Sequence, residues 1–216
     1  MWEVFYINVR IMRKKKINKL LCGGLLCIFA ALCLIIHNYL EENNAQQESQ
    51  VVQQKLETEI AVQQKEINSG YMPEREQDDS TKEQVPSLKV DNRDYCGLLE
   101  IPALSLSIPV QSEFTTEGLK ISPCRYAGWV DTGNLVLAGH NYKSHFGNLN
   151  QLKSGDEICF TTADGTLYIY TVSVVEILDA NAVEEMLSGE WDLSLFTCTL
   201  SRTSRVTVRC KRSDED

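Results

Sequence analysis

Two of the three histidines in this 216-residue chain lie five residues apart, in the stretch NLVLAGHNYKSHFGNL at residues 134–149. His140 directly follows an apolar, strand-like run that ends at Gly139, and His145 lies in the loop beyond it. A zinc site needs three or four ligands at compact spacing. The usual HxxxH helix pattern is absent, so we expect no metal. An imidazole at a strand end can instead serve as an acid and base beside a nucleophile.

The nucleophile that suits this histidine is a thiol that also lies at a strand end. Cys198 closes the run LSLFTC immediately before a loop, whereas Cys124 lies in an irregular stretch beside Pro123 and is the second choice. We expect the other cysteines of this region to be packed within strands; they are Cys96, Cys159 and Cys210. None of these five thiols forms a CxxC motif, which argues against a zinc or redox site.

A cation completes the set of chemical groups. The six residues TLSRTS separate Cys198 from Arg205, and two antiparallel strands joined there bring Arg205 beside the thiol. Thioester chemistry passes through a tetrahedral oxyanion, which a fixed positive donor stabilises. Arg202 in the loop and Arg209 further along the strand are the alternatives.

Short strands must position these groups. From Tyr95 onward the chain alternates strand-like runs with turns, and NAVEEMLSG at residues 181–189 predicts one short helix. Many short strands with few helices favour a closed β-barrel or a β-sandwich. The fold class is therefore all-β with short helices.

The N-terminal part differs in composition from the region after Tyr95. The run LLCGGLLCIFAALCLII at residues 20–36 has no charged residue, and RKKK precedes it. Such a run predicts an uncleaved, single-pass transmembrane helix, and the flanking positive charge predicts a cytoplasmic N-terminus and an extracellular domain. A cleaved signal peptide is the alternative. We assign residues 1–16 to the cytoplasm, 17–40 to the anchor, 41–90 to a polar stalk and 91–216 to the catalytic β-barrel.

The stalk segment is rich in Gln, Glu, Lys and Asn and offers little to bury. We expect a solvated spacer, although apolar residues spaced by four or seven allow a short amphipathic helix ending near Gly70. They are Val52, Leu56, Ile60 and Ile67. The formal net charge of −9 disfavours nucleic acid as a partner, because phosphate binding needs a basic surface.

The motifs LAGHN, LFTC and RVTVRC, in this order behind an apolar anchor, resemble the sortases, the membrane-anchored cysteine transpeptidases of Gram-positive bacteria. The stretches GLLEIPALSLSIPV and FGNLNQLKSGDEICF share the similarity, which covers nearly all of residues 95–212. Ser194 stands where the family often has threonine, outside the chemistry. The resemblance implies a closed eight-stranded barrel and no cofactor.

The resemblance also implies a reaction. Cys198 would cleave an LPxTG-like sorting signal between Thr and Gly, and an amine from lipid II or a pilin lysine would resolve the thioester. His140 would act as acid and base, and Arg205 would hold the oxyanion or the signal. We expect the apolar substrate groove to involve Leu137, Ala138, Thr197, Val175 and Ile177. A cysteine hydrolase using the same pair, or a surface scaffold without catalysis, remains the alternative.

Overall fold

The computed structural model describes residues 2–68, 85–199 and 203–213. Within these ranges the chain forms two α-helices, Trp2–Asn68 (α1) and Val183–Met186 (α2). The same ranges contain nine β-strands: Leu88–Val90 (β1), Arg93–Ile101 (β2), Leu106–Gln111 (β3), Cys124–Ala127 (β4), Leu135–Ala138 (β5), Glu157–Thr162 (β6), Leu167–Asp179 (β7), Leu193–Cys198 (β8) and Ser204–Arg212 (β9).

Eight of the strands form a closed barrel. Their order is β2-β3-β4-β5-β8-β9-β7-β6, and β6 pairs with β2 to close the ring. The short strand β1 lies outside this ring and pairs only with β2 among the described strands. Most neighbours are antiparallel, but β3 and β4 run parallel, as do β5 and β8. This architecture confirms the predicted all-β, eight-stranded barrel with short helices.

Large apolar side chains fill the barrel interior. Its buried cluster includes Leu135 and Leu137 of β5, Leu193 and Leu195 of β8, and Val208 of β9. These residues alternate along each strand with residues on the outer face, as the pleat of a strand requires. Burial of this apolar surface is the main source of stability for the barrel.

The first compact unit, Met1–Asn43, is helical in its described part. Among the described residues, the helical range Leu21–Val62 contains an 18-residue window apolar enough to be a candidate membrane span, with a mean hydropathy of 2.2 in that window. Its large side chains expose more than half of their surface from Leu21 to Leu40. Such exposure suits a lipid environment better than water. The membrane-anchor boundaries of 17–40 stay a prediction.

The second compact unit, Asn44–Asp216, includes the remainder of α1 together with the barrel. Val52, Leu56 and Ile60 are buried in a cluster with side chains of β1 and β2, which are Val90, Tyr95 and Leu98. The Gln53 side chain donates a hydrogen bond of 2.9 Å to the Ser107 hydroxyl. This part of the predicted stalk is therefore a docked helix and not a solvated spacer.

The physical reason for this difference is the spacing of the apolar residues. Val52, Leu56 and Ile60 recur every four residues and form one stripe on a helix that is otherwise polar. The stripe favours a helix, as the alternative from the sequence allowed, but the surface that covers it is visible only in the fold. The polar stretch that follows, residues 69–84, lies outside the described residues.

Replacement of Leu56 by alanine tests this docking. Leu56 is fully buried, and loss of such a side chain costs about 2 kcal/mol or more. We expect the backbone amides of residues 44–68 to exchange hydrogen about 30-fold faster, measured by mass spectrometry on the full chain in detergent. Val51→Ala is the matched control, because Val51 is 51% exposed on the same helix. Equal exchange in the two variants would show that the helix does not depend on the barrel.

Candidate functional site

The register of four strands places the predicted catalytic residues at one end of the barrel. Cys198 of β8 pairs with Arg205 of β9, and Arg205 pairs with Leu178 of β7. Directly paired residues in a sheet share a face, so these three side chains form one row across the outer surface. The backbone N–H of Thr199 donates to the Ser204 carbonyl. The preceding Cys198–Arg205 pair is therefore a non-hydrogen-bonded one, in which side chains lie closest.

His140 reaches the same level from the neighbouring parallel strand. Ala138 of β5 pairs with Phe196 of β8, and the Gly139 N–H donates to the Phe196 carbonyl at 3.0 Å. His140 and Cys198 each lie two residues beyond this pair, so the register puts them side by side at the two strand ends. A side chain on Gly139 would clash with the Phe146 ring. Glycine is thus required where the chain turns into the histidine loop.

Cys198 is the exposed thiol among the five cysteines of the barrel. Burial raises the pKa of the Cys96 and Cys210 thiols to about 12. Burial likewise raises the pKa of the Cys124 thiol to about 11. Cys159 is half-buried, and burial followed by the nearby Glu157 charge raises its pKa. The thiolate is the reactive form of cysteine, so Cys124 is a poor alternative nucleophile.

Arg205 carries hydrogen-bond donors that the fold does not use. Its Nε and Nη1 atoms are buried and have no hydrogen-bond partner among the described residues. The guanidinium carbon lies 5.0 Å from the centre of the Phe196 ring, in a cation–π arrangement. The ring orients the planar group without occupying its N–H donors. Unpaired buried donors are costly, and an oxygen-rich ligand beside the thiol would satisfy them.

Arg209, an alternative to Arg205, has a structural role. It is 2% exposed, and its Nε donates to the Glu176 carboxylate at 2.9 Å. Its Nη1 donates to the Ser194 hydroxyl and to the Met186 carbonyl, and Nη2 donates to the Glu185 carbonyl. These bonds tie α2 to the outer face of β8 and β9. The other alternative, Arg202, lies outside the described residues.

The helix α2 covers the part of the outer face that includes Arg209, and it leaves the row of Cys198 and Arg205 uncovered. Met186 packs in a buried cluster with Val136, Ala138 and Phe196, with Leu178 at the edge. Beyond this cluster the rings of Phe196, Tyr126 and Phe114 form edge-to-face contacts at 5.3 and 5.4 Å. Phe114 is 42% exposed. An aromatic surface therefore leads from solvent to the Cys198 and Arg205 row.

The five side chains predicted for the groove fall on two faces. Leu137 and Val175 belong to the barrel interior, and Thr197 is 2% exposed. Ile177 is 71% exposed, but it pairs with Val206 in the row of Thr197, on the face opposite to Cys198.

Ala138 shares the face of Cys198 but is covered by its cluster. The structure thus argues against direct substrate contact by Leu137, Thr197, Val175 and Ile177, and it brings Leu178 to the site instead.

Sequence reasoning missed the aromatic residues around the site. Phe196 and Tyr142 each lie two residues from a predicted catalytic residue, and this spacing is the signal that was available. The Tyr142 ring stacks on His140, with centroids 3.9 Å apart and an angle of 22° between the planes. Phe114 lies in the loop after β3 and Tyr126 lies on β4. Both are distant in sequence from Cys198 and Arg205, and so their positions gave no such signal.

His145 is more deeply buried than His140, which is half-buried. His145 is 1% exposed, and neither ring nitrogen has a hydrogen-bond partner among the described residues. Burial, followed by the nearby His140 charge, lowers the pKa of His145 to about 4. His145 is therefore neutral at pH 7 and unsuited to act as a second acid. Within the described part of the chain, no group of three His, Cys, Asp or Glu residues is placed to hold a metal.

Comparison with known proteins gives a consistent result. The model of the Sortase domain family matches residues 99–213. Sortase A of Bacillus anthracis is 27% identical over 121 residues, which cover 53% of this chain and 57% of that protein. The chain therefore matches less than two thirds of this relative's length.

Solved structures share the fold. Sortase A from Corynebacterium diphtheriae aligns with a TM-score of 0.52 and 24% identity, over 57% of this chain and 63% of that one. Listeria monocytogenes sortase A aligns with a TM-score of 0.51 and 24% identity, over 56% and 88% of the two chains. Clostridium perfringens sortase C with the C-terminal cell wall sorting motif aligns at 0.51 and 20% identity, over 76% and 90%.

Alkylation with iodoacetamide tests the assignment of the nucleophile. In the native full chain at neutral pH, we expect Cys198 to react at least about tenfold faster than Cys96, Cys124 and Cys210, because these three are buried and protonated. Peptide mapping by mass spectrometry reads each cysteine separately. The same chain unfolded in denaturant is the control and should label all thiols at similar rates. Faster labelling of Cys124 in the native chain would overturn the assignment.

Proposed function

Because the chain belongs to the sortase family, we propose that it is a membrane-anchored cysteine transpeptidase. Its substrate is an LPxTG-like sorting signal at the end of a surface protein, cleaved between Thr and Gly. Its acceptor is an amine from a cell-wall precursor such as lipid II, or from a pilin lysine. Cys198 is the nucleophile, His140 the acid and base, and Arg205 the donor to the substrate oxygen.

One observation carries this proposal. An exposed thiol at Cys198 pairs directly with an arginine whose buried Nε and Nη1 have no partner among the described residues. A purely structural arginine would have its donors occupied, as those of Arg209 are. Donors aimed beside a nucleophile can stabilise the oxyanion of acyl transfer.

The first half of the reaction forms a thioester. The sulfur of Cys198, as thiolate, attacks the carbonyl carbon of the signal's threonine, and the carbonyl oxygen becomes an oxyanion. The guanidinium of Arg205 donates hydrogen bonds to this oxygen. The C–N bond to glycine then breaks, and the leaving amine takes a proton from His140.

The second half transfers the acyl group. The acceptor amine gives a proton to His140 and attacks the thioester carbon. The same oxyanion forms again beside Arg205, and the C–S bond breaks to release the Cys198 thiolate. A hydrolase would use water in place of the amine, so the reaction class depends on which nucleophile reaches the thioester.

The aromatic surface of Phe114, Tyr126 and Phe196 supports a peptide with apolar residues. It leads to Cys198 on the open face above α2, and a leucine and a proline of the signal can bury apolar surface against it. The similar Clostridium perfringens sortase C structure holds a C-terminal cell wall sorting motif, so a peptide of that kind is the first to test. The apolar stretch near the N-terminus supports a cell-membrane location, and the RKKK run at residues 13–16 before it favours a cytoplasmic N-terminus with the barrel outside.

A transfer assay tests the function. We expect the full chain in detergent to convert a labelled LPxTG peptide into a triglycine adduct, and to give little free acid when triglycine is present. Cys198→Ala should form neither product and keep its circular dichroism spectrum. Ser188→Ala, on the exposed end of the α2 region, is the matched control and should react normally.

Three other outcomes contradict the proposal in different ways. Free acid in equal amounts with and without triglycine would identify a hydrolase. Peptide binding without cleavage would identify a scaffold. Turnover retained by Cys198→Ala would move the nucleophile to another thiol.

Replacement of Arg205 by lysine tests its role. Lysine keeps the charge but loses the planar fork of donors, so we expect the rate constant kcat for transfer to fall about 100-fold. Arg212→Lys is the matched control, because Arg212 is exposed at the other end of β9, and it should change kcat less than twofold. A near-normal kcat for Arg205→Lys would exclude Arg205 as the oxyanion donor.

A further inference from the structure

Tyr142 covers one face of the His140 ring. The two rings are stacked, with centroids 3.9 Å apart and planes 22° from parallel. Tyr142 is half-buried and lies two residues after His140, in the loop beyond β5. A stacked face restricts rotation of the imidazole about its side-chain bonds, because any turn breaks the contact.

The backbone fixes the position of Tyr142. Its carbonyl oxygen accepts hydrogen bonds from the N–H groups of His145 at 3.0 Å and of Gly147 at 2.8 Å. A side chain on Gly147 would approach this carbonyl oxygen to 2.7 Å, so glycine permits the tight turn. The Phe146 N–H also donates to the His140 carbonyl at 3.1 Å. The loop therefore holds both residues of the stacked pair by their main chains.

His145 supports the other side of the tyrosine. Its ring meets the Tyr142 ring edge-on, with centroids 5.3 Å apart and an angle of 60°. Burial keeps His145 neutral at pH 7, with its pKa lowered to about 4. His140 thus lies at one end of a row of three contacting rings, and the other end of the row, His145, is buried in the fold.

We propose that Tyr142 is a positioning residue for His140, an inference that rests on the proposed role of His140 in transfer. The stacked Tyr142 ring holds the imidazole plane of His140 beside Cys198. The imidazole is therefore already oriented for proton transfer to the leaving amine. The proposed role belongs to the face of the aromatic ring. A phenylalanine ring in its place serves equally well, whereas an aliphatic side chain does not.

Kinetics of two variants test the proposal with the full chain in detergent. We expect Tyr142→Leu to lower kcat for peptide transfer to triglycine by about 10- to 100-fold, with the peptide KM unchanged within about twofold. We expect Tyr142→Phe to keep kcat within about twofold. If Tyr142→Leu fails to fold by circular dichroism, Tyr142→Met supplies a flexible side chain without a ring face. A raised KM with a normal kcat would show that Tyr142 binds the peptide and would overturn the proposal.

A spectroscopic signature separates this proposal from the proposed function. In chain labelled at histidine, the stacked tyrosine shifts the ring-proton resonances of His140, and His140→Gln assigns them. We expect these shifts to persist in Tyr142→Phe and to disappear in Tyr142→Leu. If the wild-type chain shows this pattern but transfers no peptide, the positioning stands and the transpeptidase proposal fails. Shifts of His140 that are the same in all variants would overturn the positioning itself.

Discussion

Everything at the site depends on the register between β5, β8 and β9. The pairs Ala138–Phe196 and Cys198–Arg205 fix three strand ends at one level of the barrel. A shift of one residue in β9 would turn Arg205 to the opposite face, because side chains alternate along a strand. Closure of the barrel and its apolar interior hold this register, so the fold itself orders the chemical groups.

Two arginines on one strand show how surroundings decide function. Arg205 and Arg209 are four residues apart on β9 and share the outer face. Arg209 lies under α2, where Glu176, Ser194 and the helix carbonyls occupy its donors, and it fastens the helix. Arg205 lies above the helix beside an exposed thiol, with two buried nitrogens unbonded among the described residues. The same side chain therefore supports the fold in one place and presents donors in the other.

The register brings Cys198, His140 and Arg205, which local patterns at strand ends and a hairpin had suggested, to one end of the barrel. The barrel itself was predictable from its runs of short strands and turns. The groove residues were not. The inward side chains of β7 are even-numbered up to Val172 and odd-numbered from Val175, because a bulge lies between Val172 and Val174. The register therefore places Leu178, and not the expected Ile177, on the face of Cys198. The docking of Leu56 on the barrel was not predictable either, because an apolar stripe in the sequence does not reveal which surface covers it.

The convergence of thiol, imidazole and guanidinium is most directly measured in a crystal structure with the site occupied. The full chain would be blocked by a sorting-signal analogue that carries an electrophile at the threonine carbonyl position. The account predicts a covalent bond to the Cys198 sulfur, the His140 ring on one side of it, and Arg205 N–H groups about 3 Å from the analogue's oxygen. A bond to another cysteine, or a His140 ring and an Arg205 side chain turned away from the sulfur, would contradict it.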